Sequence, residues 1–113
     1  LIDAGLPVAV ATDANPGSCM SENIQLMMSL AALQMRMTME ETITAVTLNA
    51  AAALDRSDRL GSLEVDKQAD VLIFDVPNYH RIMYHFGVNH LGTVIKDGRV
   101  VLERHYAEER SAR

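Results

Sequence analysis

Val8-Ala9-Val10-Ala11-Thr12-Asp13-Ala14-Asn15-Pro16-Gly17-Ser18 is the stretch whose reading decides the fold. From Leu6 to Thr12 there is no charge, the side chains are small or β-branched, and the run is short. A strand covered on both faces by helices reads this way. Asp13 is the first charge after it, and a carboxylate at the end of a dry strand is costly unless a cation, a metal or good hydrogen bonds compensate it. Asn15 precedes a proline and is pushed toward extended geometry, Pro16 fixes its own φ and lacks an N–H, and Gly17 permits φ > 0 or the close approach of a ligand. The loop so formed gathers an amide, an open backbone and the Ser18 hydroxyl beside a carboxylate. Asp13 is then either a functional acid or a residue that caps its own loop in an Asx-type turn.

Before this stretch, Leu1 to Ala4 followed by Gly5 reads as the end of a helix. After it, Ser21 is placed to cap a helix from about Glu22 to Arg36, with Ile24, Met27, Met28, Ala31 and Met35 at helical spacing. A methionine-rich face of this kind is adaptable core rather than a cofactor surface. Thr38-Met39-Glu40-Glu41 matches a capping box and opens a second helix, whose apolar face is Ile43, Val46, Ala50 and Leu54 and whose end falls near Asp55.

Beyond Arg59 the period changes. Leu60 to Val65 alternates like a half-exposed strand, Asp66-Lys67 reads as a turn, and Ala69 to Asp75 as a second strand, broken by Pro77 and Asn78. Tyr79 to His90 has no clean period and is expected to be loop with a short helix. Thr93 to Lys96 and Arg99 to Leu102 flank Asp97-Gly98, whose positive φ values make a type I′ hairpin. The tail 103–113 is charged and is read as helix or disorder. Strand, loop, two helices and then mostly strands suit a junction of two layers better than one compact domain.

Composition narrows the function classes. The 113 residues carry a net charge of −5 with Lys and Arg scattered, so no basic stripe offers itself to nucleic acid or anionic lipid. No apolar run approaches the ~18 residues of a membrane span. Cys19 is the single cysteine, which excludes an internal disulfide and suits a reducing, cytoplasmic setting.

The residues quoted carry a resemblance. Ala11 to Ser18, Arg36-Met37-Thr38 with Glu40-Glu41, Thr47 to Ala51, and Tyr84-His85-Phe86-Gly87-Val88-Asn89 resemble the C-terminal part of the imidazolonepropionase family of metal-dependent amidohydrolases. The wider superfamily pattern is visible in Gly61 to Val65, Lys67, Ala69-Asp70, Asp75 and Lys96-Asp97-Gly98. The Asn-Pro-Gly loop and the segment 84–89 point to this one family; the wider pattern says nothing of substrate. Asp66 departs from the glycine usual at its place and bears on the turn geometry there.

The resemblance implies an α/β fold: a C-terminal fragment of a (β/α)8 barrel, with residues 1–58 the last barrel strand and its helices, 59–102 the C-terminal part of a small composite β-domain, and 103–113 a charged tail. It implies that Asp13 stands at the C-terminal end of the last strand, where barrel enzymes place their chemistry. There Asp13 would bind one divalent ion, zinc or iron, and orient the attacking water, while Asn15, Gly17 and Ser18 contact the substrate. The implied reaction is hydrolysis of the ring amide of 4-imidazolone-5-propanoate to N-formimidoyl-L-glutamate in histidine breakdown. The partners implied are a small-molecule substrate, no nucleic acid and no membrane, with a homodimer an open option for a full-length enzyme. The other readings are a deaminase or cyclic-imide hydrolase of the same superfamily, or a non-catalytic binding domain. A barrel needs ~250 residues, and relatives draw further metal ligands from a His-x-His pair and other histidines on earlier strands. His80, His85, His90 and His105 lack that spacing; five residues turn ~500° on a helix. They are read as loop or surface residues, and the chain alone is expected to be inactive.

Overall fold

A computed structural model describes residues 1–104. A 3-10 turn, Ile2–Ala4, ends at Gly5, whose φ of 79° closes it as the sequence implies. Residues 6–23 then run without regular secondary structure to α1 (Ile24–Leu33), followed by α2 (Met39–Val46) and α3 (Leu48–Ala53). The second half holds β1 (Val71–Phe74), the short α4 (His80–Tyr84), β2 (Leu91–Lys96) and β3 (Arg99–Glu103). The three strands form one antiparallel sheet in chain order.

The expected strand over Val8 to Thr12 is absent as a strand, though its period survives. Val8, Val10 and Thr12 are half-buried and Ala9 and Ala11 exposed. Val10 N–H donates to Ala45 O at 3.1 Å, and Asn49 Nδ2 donates to Val8 O at 3.0 Å. One face thus rests on α2 and α3, and the other, expected to be covered, is open. A strand without a ladder partner cannot satisfy its backbone groups as sheet, which accounts for the difference.

The helices differ from expectation at their ends. The cap of α1 is Asn23, whose side chain accepts from Leu26 N–H at 3.2 Å, rather than Ser21, and the helix stops at Leu33 because the chain turns to a φ of 61° at Arg36. The capping box of α2 forms as read: Glu41 N–H donates to Thr38 Oγ1 at 3.0 Å, and Thr38 N–H donates to Glu41 Oε1 at 2.8 Å. The single helix expected from there to Asp55 is two helices, broken at Thr47, whose ψ of −88° is not helical.

Leu60 to Val65 is not a strand. Gly61 has φ +98°, and a Cβ there would lie 2.8 Å from Ala51 Cβ and 3.1 Å from Leu48 Cα, so the segment is a loop pressed onto α3. Lys67 Nζ holds the loop from below, donating to Ser62 Oγ at 2.7 Å and pairing with Glu64 at 3.0 Å. Asp66 adopts a φ of 71°, the left-handed conformation that a glycine takes freely, so the departure from the superfamily pattern leaves the turn in place.

The hairpin is as expected, with Asp97 at φ 51° and Gly98 at φ 78°. Gly98 N–H donates to Ala69 O at 2.9 Å, which seats the turn on the residues before β1. Of the charged tail, Glu103 ends β3 and 105–113 lie outside the described residues.

The core is small. Met28 on α1 packs with Ile82 and Met83 on α4, flanked by Met39, Ile43, Val46, Phe74 and Val76. Met83 is fully buried, which stabilises the fold by about 1.5–3 kcal/mol relative to leaving it in water. Much apolar surface stays outside: Met35 is 69% exposed, Leu63 75% and Val65 91%. The methionine-rich face of α1 is therefore core at Met28 and Ala31 and, in part, at Met27, while Ile24 and Met35 are exposed.

Candidate functional site

Residues 13–19 fold on themselves around one side chain. Asn15 Oδ1 accepts from Gly17 N–H at 2.9 Å and from Ser18 N–H at 2.8 Å, while Asn15 Nδ2 donates to Asp13 O at 2.7 Å. The Asn15 amide and the Ser18 hydroxyl also lie within hydrogen-bonding distance of one another. Asn15 N–H donates to Cys19 O at 2.6 Å and closes the loop, and Cys19 Sγ reaches back to Thr12 O at 3.2 Å. The Asx turn weighed at Asp13 is thus built by Asn15. Asparagine before proline, with Gly and Ser two and three residues on, is the sequence signal for it.

This frees Asp13. Its backbone takes a φ of 50°, its side chain is exposed, and among the described residues its carboxylate accepts no hydrogen bond. The expected setting, a carboxylate at the dry end of a strand, is not what the chain shows, because no neighbouring strand covers it. Of the two uses read for Gly17, positive φ is not taken up. A Cβ on it would meet Asn15 Oδ1 at 3.2 Å, so glycine serves the close approach of the Asn15 amide. The structure brings Asp13, Asn15, Gly17 and Ser18 into one exposed loop, with three of the four joined by hydrogen bonds to the Asn15 side chain.

The histidines are elsewhere. His80 is exposed and lies 3.5 Å from Glu40 Oε1. The Tyr79 hydroxyl donates to the same carboxylate at 2.6 Å, and this bond, ahead of the histidine, holds the Glu40 carboxyl below its usual range. His90 lies in a loop, as read, but is buried rather than at the surface, with Nε2 at 2.7 Å from His85 O. His105 lies outside the described residues.

A divalent ion finds one oxygen donor here and no complete site. An exposed, unengaged carboxylate suits a hard or borderline cation. Among the described residues, however, no three His, Cys, Asp or Glu side chains gather closely enough to hold a metal. An apolar cleft of about 710 Å³ opens between α2, α3 and the sheet, lined by Ile43, Val46, Leu54, Leu63, Phe74 and Ile95 among others, and none of residues 13–18 borders it. Its charged groups, Asp70 and Lys96, are paired with each other at 2.8 Å. The cleft therefore lacks the free convergent polar groups that mark a reaction centre.

Comparison with known proteins adds to this geometry. The model of the amidohydrolase family matches residues 1–101. The chain is 61% identical over 104 residues to an imidazolonepropionase of Alkaliphilus oremlandii, covering 92% of this chain and 25% of that protein. It is 56% identical over 96 residues to the imidazolonepropionase of Caldanaerobacter subterraneus subsp. tengcongensis, covering 85% and 23%. Among solved structures it is similar to an amidohydrolase from Thermotoga maritima, with a TM-score of 0.70 and 25% identity over 92% of this chain and 25% of that one. Guanine deaminase of E. coli, at 21% identity and a TM-score of 0.64 over 91% and 29%, shares the fold. The chain spans about a quarter of the length of the curated relatives it matches.

Proposed function

The chain belongs to the amidohydrolase family, and from that premise we propose that it is the C-terminal portion of a cytoplasmic imidazolonepropionase that hydrolyses the ring amide of 4-imidazolone-5-propanoate to N-formimidoyl-L-glutamate. The similarity to imidazolonepropionases over nearly the whole chain carries this reading. In it, Val8 to Thr12 is the last strand of a (β/α)8 barrel, paired with strands from outside this chain, and the sheet of β1 to β3 is part of the small β-domain.

Asp13 then stands at the C-terminal end of that strand, with its carboxylate open to the reaction centre. It would hold a divalent zinc or iron ion together with side chains from elsewhere in the protein; when bound, the ion supplies Lewis acidity. In the hydrolysis a water oxygen adds to the ring carbonyl carbon and the ring C–N bond breaks. The Asp13 carboxylate accepts the proton the water gives up and returns it to the departing nitrogen. Asn15, Gly17 and Ser18 border the substrate. The Asn15 amide fixes the loop before substrate arrives, so that little ordering remains to be done on binding.

A chimera tests the reading. This chain would replace the matching quarter of the Alkaliphilus oremlandii enzyme, and product formation from the imidazolone would be followed chromatographically. Turnover within about tenfold of the parent is expected, because core substitutions that keep volume and pattern are tolerated. A folded, metal-loaded chimera that leaves the imidazolone intact would count against it.

A further inference from the structure

The segment 84–89 carries much of the specific likeness to one family, yet the reaction above uses none of its residues. The structure shows where it is held. Gln25, in the first turn of α1, donates from Nε2 to Asn89 Oδ1 at 2.9 Å and accepts at Oε1 from His90 N–H at 3.1 Å. Asn89 Oδ1 also accepts from Leu91 N–H at 3.0 Å, at the start of β2. The buried His90 ring meets His85 O at 2.7 Å and folds the segment back on itself. One turn further along α1, Met28 packs on Ile82 and Met83 of α4. The start of α1 is thus held by a polar clasp to Asn89 and His90 and, one turn on, by an apolar layer to α4.

From the same turn a run of short-range polar contacts leads back to the candidate loop. Asn23 accepts from Leu26 N–H, and Asn23 N–H donates to Ser21 Oγ at 3.2 Å. Cys19 Sγ, whose one proton is closer to Thr12 O at 3.2 Å, lies 3.7 Å from Ser21 O, and Cys19 O accepts from Asn15 N–H at 2.6 Å. Each link joins residues at most four apart, leaving little slack between the Asn15 turn and the clasp.

We propose that Gln25 and Asn89 are positioning residues for the substrate loop: by pinning the first turn of α1 to the 85–91 segment, they fix the placement of Asn15, Gly17 and Ser18. The inference rests on the reading of that loop as substrate-binding, and it gives segment 84–89 a task remote from the chemistry. Coupling carried by packed side chains and hydrogen bonds needs direct evidence, so the test reads the loop itself as well as the reaction.

The test uses the full-length chimera with Gln25→Met, which keeps length and helix propensity but removes both hydrogen bonds, and Gln25→Glu, which keeps the acceptor for His90 N–H. KM for the imidazolone is expected to rise about fivefold in Gln25→Met, the scale of a lost neutral hydrogen bond, with kcat within twofold and Gln25→Glu in between. Amide exchange of the peptide spanning residues 13–21 should quicken in the same order, and this readout does not depend on which substrate the enzyme takes. Unchanged exchange in Gln25→Met, with KM also unmoved where turnover is present, overturns the proposal even if the melting temperature falls. An unsubstituted chimera without turnover overturns the functional reading instead, and the exchange comparison still decides the positioning role.

Discussion

Asp70, one residue before β1, pairs with Lys96, the last residue of β2, at 2.8 Å, and the same carboxylate accepts from Asp97 N–H at 2.9 Å. Ala69-Asp70 and the Lys96-Asp97-Gly98 turn, with β1, α4 and nearly all of β2 between them, are therefore one structural unit. Ala69 O accepts from Gly98 N–H, and the Asp70 carboxylate accepts from Lys96 Nζ and from Asp97 N–H.

The unit has a pH signature. The Lys96 ammonium first, then the Asp97 amide and the Gln68 side chain, hold the Asp70 carboxyl at about 2, against an ordinary value of 3.8. The folded state thus binds this proton less readily than the unfolded chain does. The stabilisation is present above pH ~4 and is lost as the pH falls toward 2. In thermal melts, Asp70→Asn should lower the melting temperature at pH 6, and the gap to the unsubstituted chain should close between pH 4 and pH 2. A gap that stays constant down to pH 2 would show that the charge of Asp70 is not what holds the hairpin.

Gly17 gives a second test, of what the loop needs from glycine. Its φ is not in the left-handed region, so alanine fits the backbone, but the added Cβ would sit 3.2 Å from Asn15 Oδ1. Gly17→Ala in the chimera should leave stability within about ±0.5 kcal/mol and raise KM by roughly 2–10-fold, the span of one weakened hydrogen bond. A large loss of melting temperature with normal KM would make Gly17 a folding residue only.

How far the sequence spoke follows from the range of the interactions. The capping box at Thr38 and the Asp97-Gly98 hairpin were legible because each is settled by residues within a few positions. Leu60 to Val65 misled, because an alternating pattern says nothing of Gly61 pressing onto α3, ten and more residues back. Val8 to Thr12 kept its strand period without a strand, since ladder partners are not encoded in the segment. The Asn15 turn could have been found from Asn-Pro-Gly-Ser. The Gln25–Asn89 contact could not, because it joins positions 64 apart with no local signal.

Asp13 bears the most consequential prediction. Its carboxylate is exposed and unengaged among the described residues, and the Asx turn read as its alternative role is built by Asn15. Asp13→Asn therefore removes no hydrogen bond that holds this loop, and the melting temperature of the chimera should change little. Its turnover should collapse, by ~10²–10⁴-fold for loss of the proton acceptor alone, and its metal content should fall, because an amide is a poorer ligand than a carboxylate. The alternative, in which Asp13 only shapes the loop through its left-handed φ of 50°, predicts the reverse. Asparagine tolerates that conformation as well as aspartate does, so on that account kcat and metal content would both survive. Measuring kcat, bound metal and melting temperature on one preparation separates the two. Near-parental turnover with metal retained would remove Asp13 from the chemistry and leave the loop a structural turn.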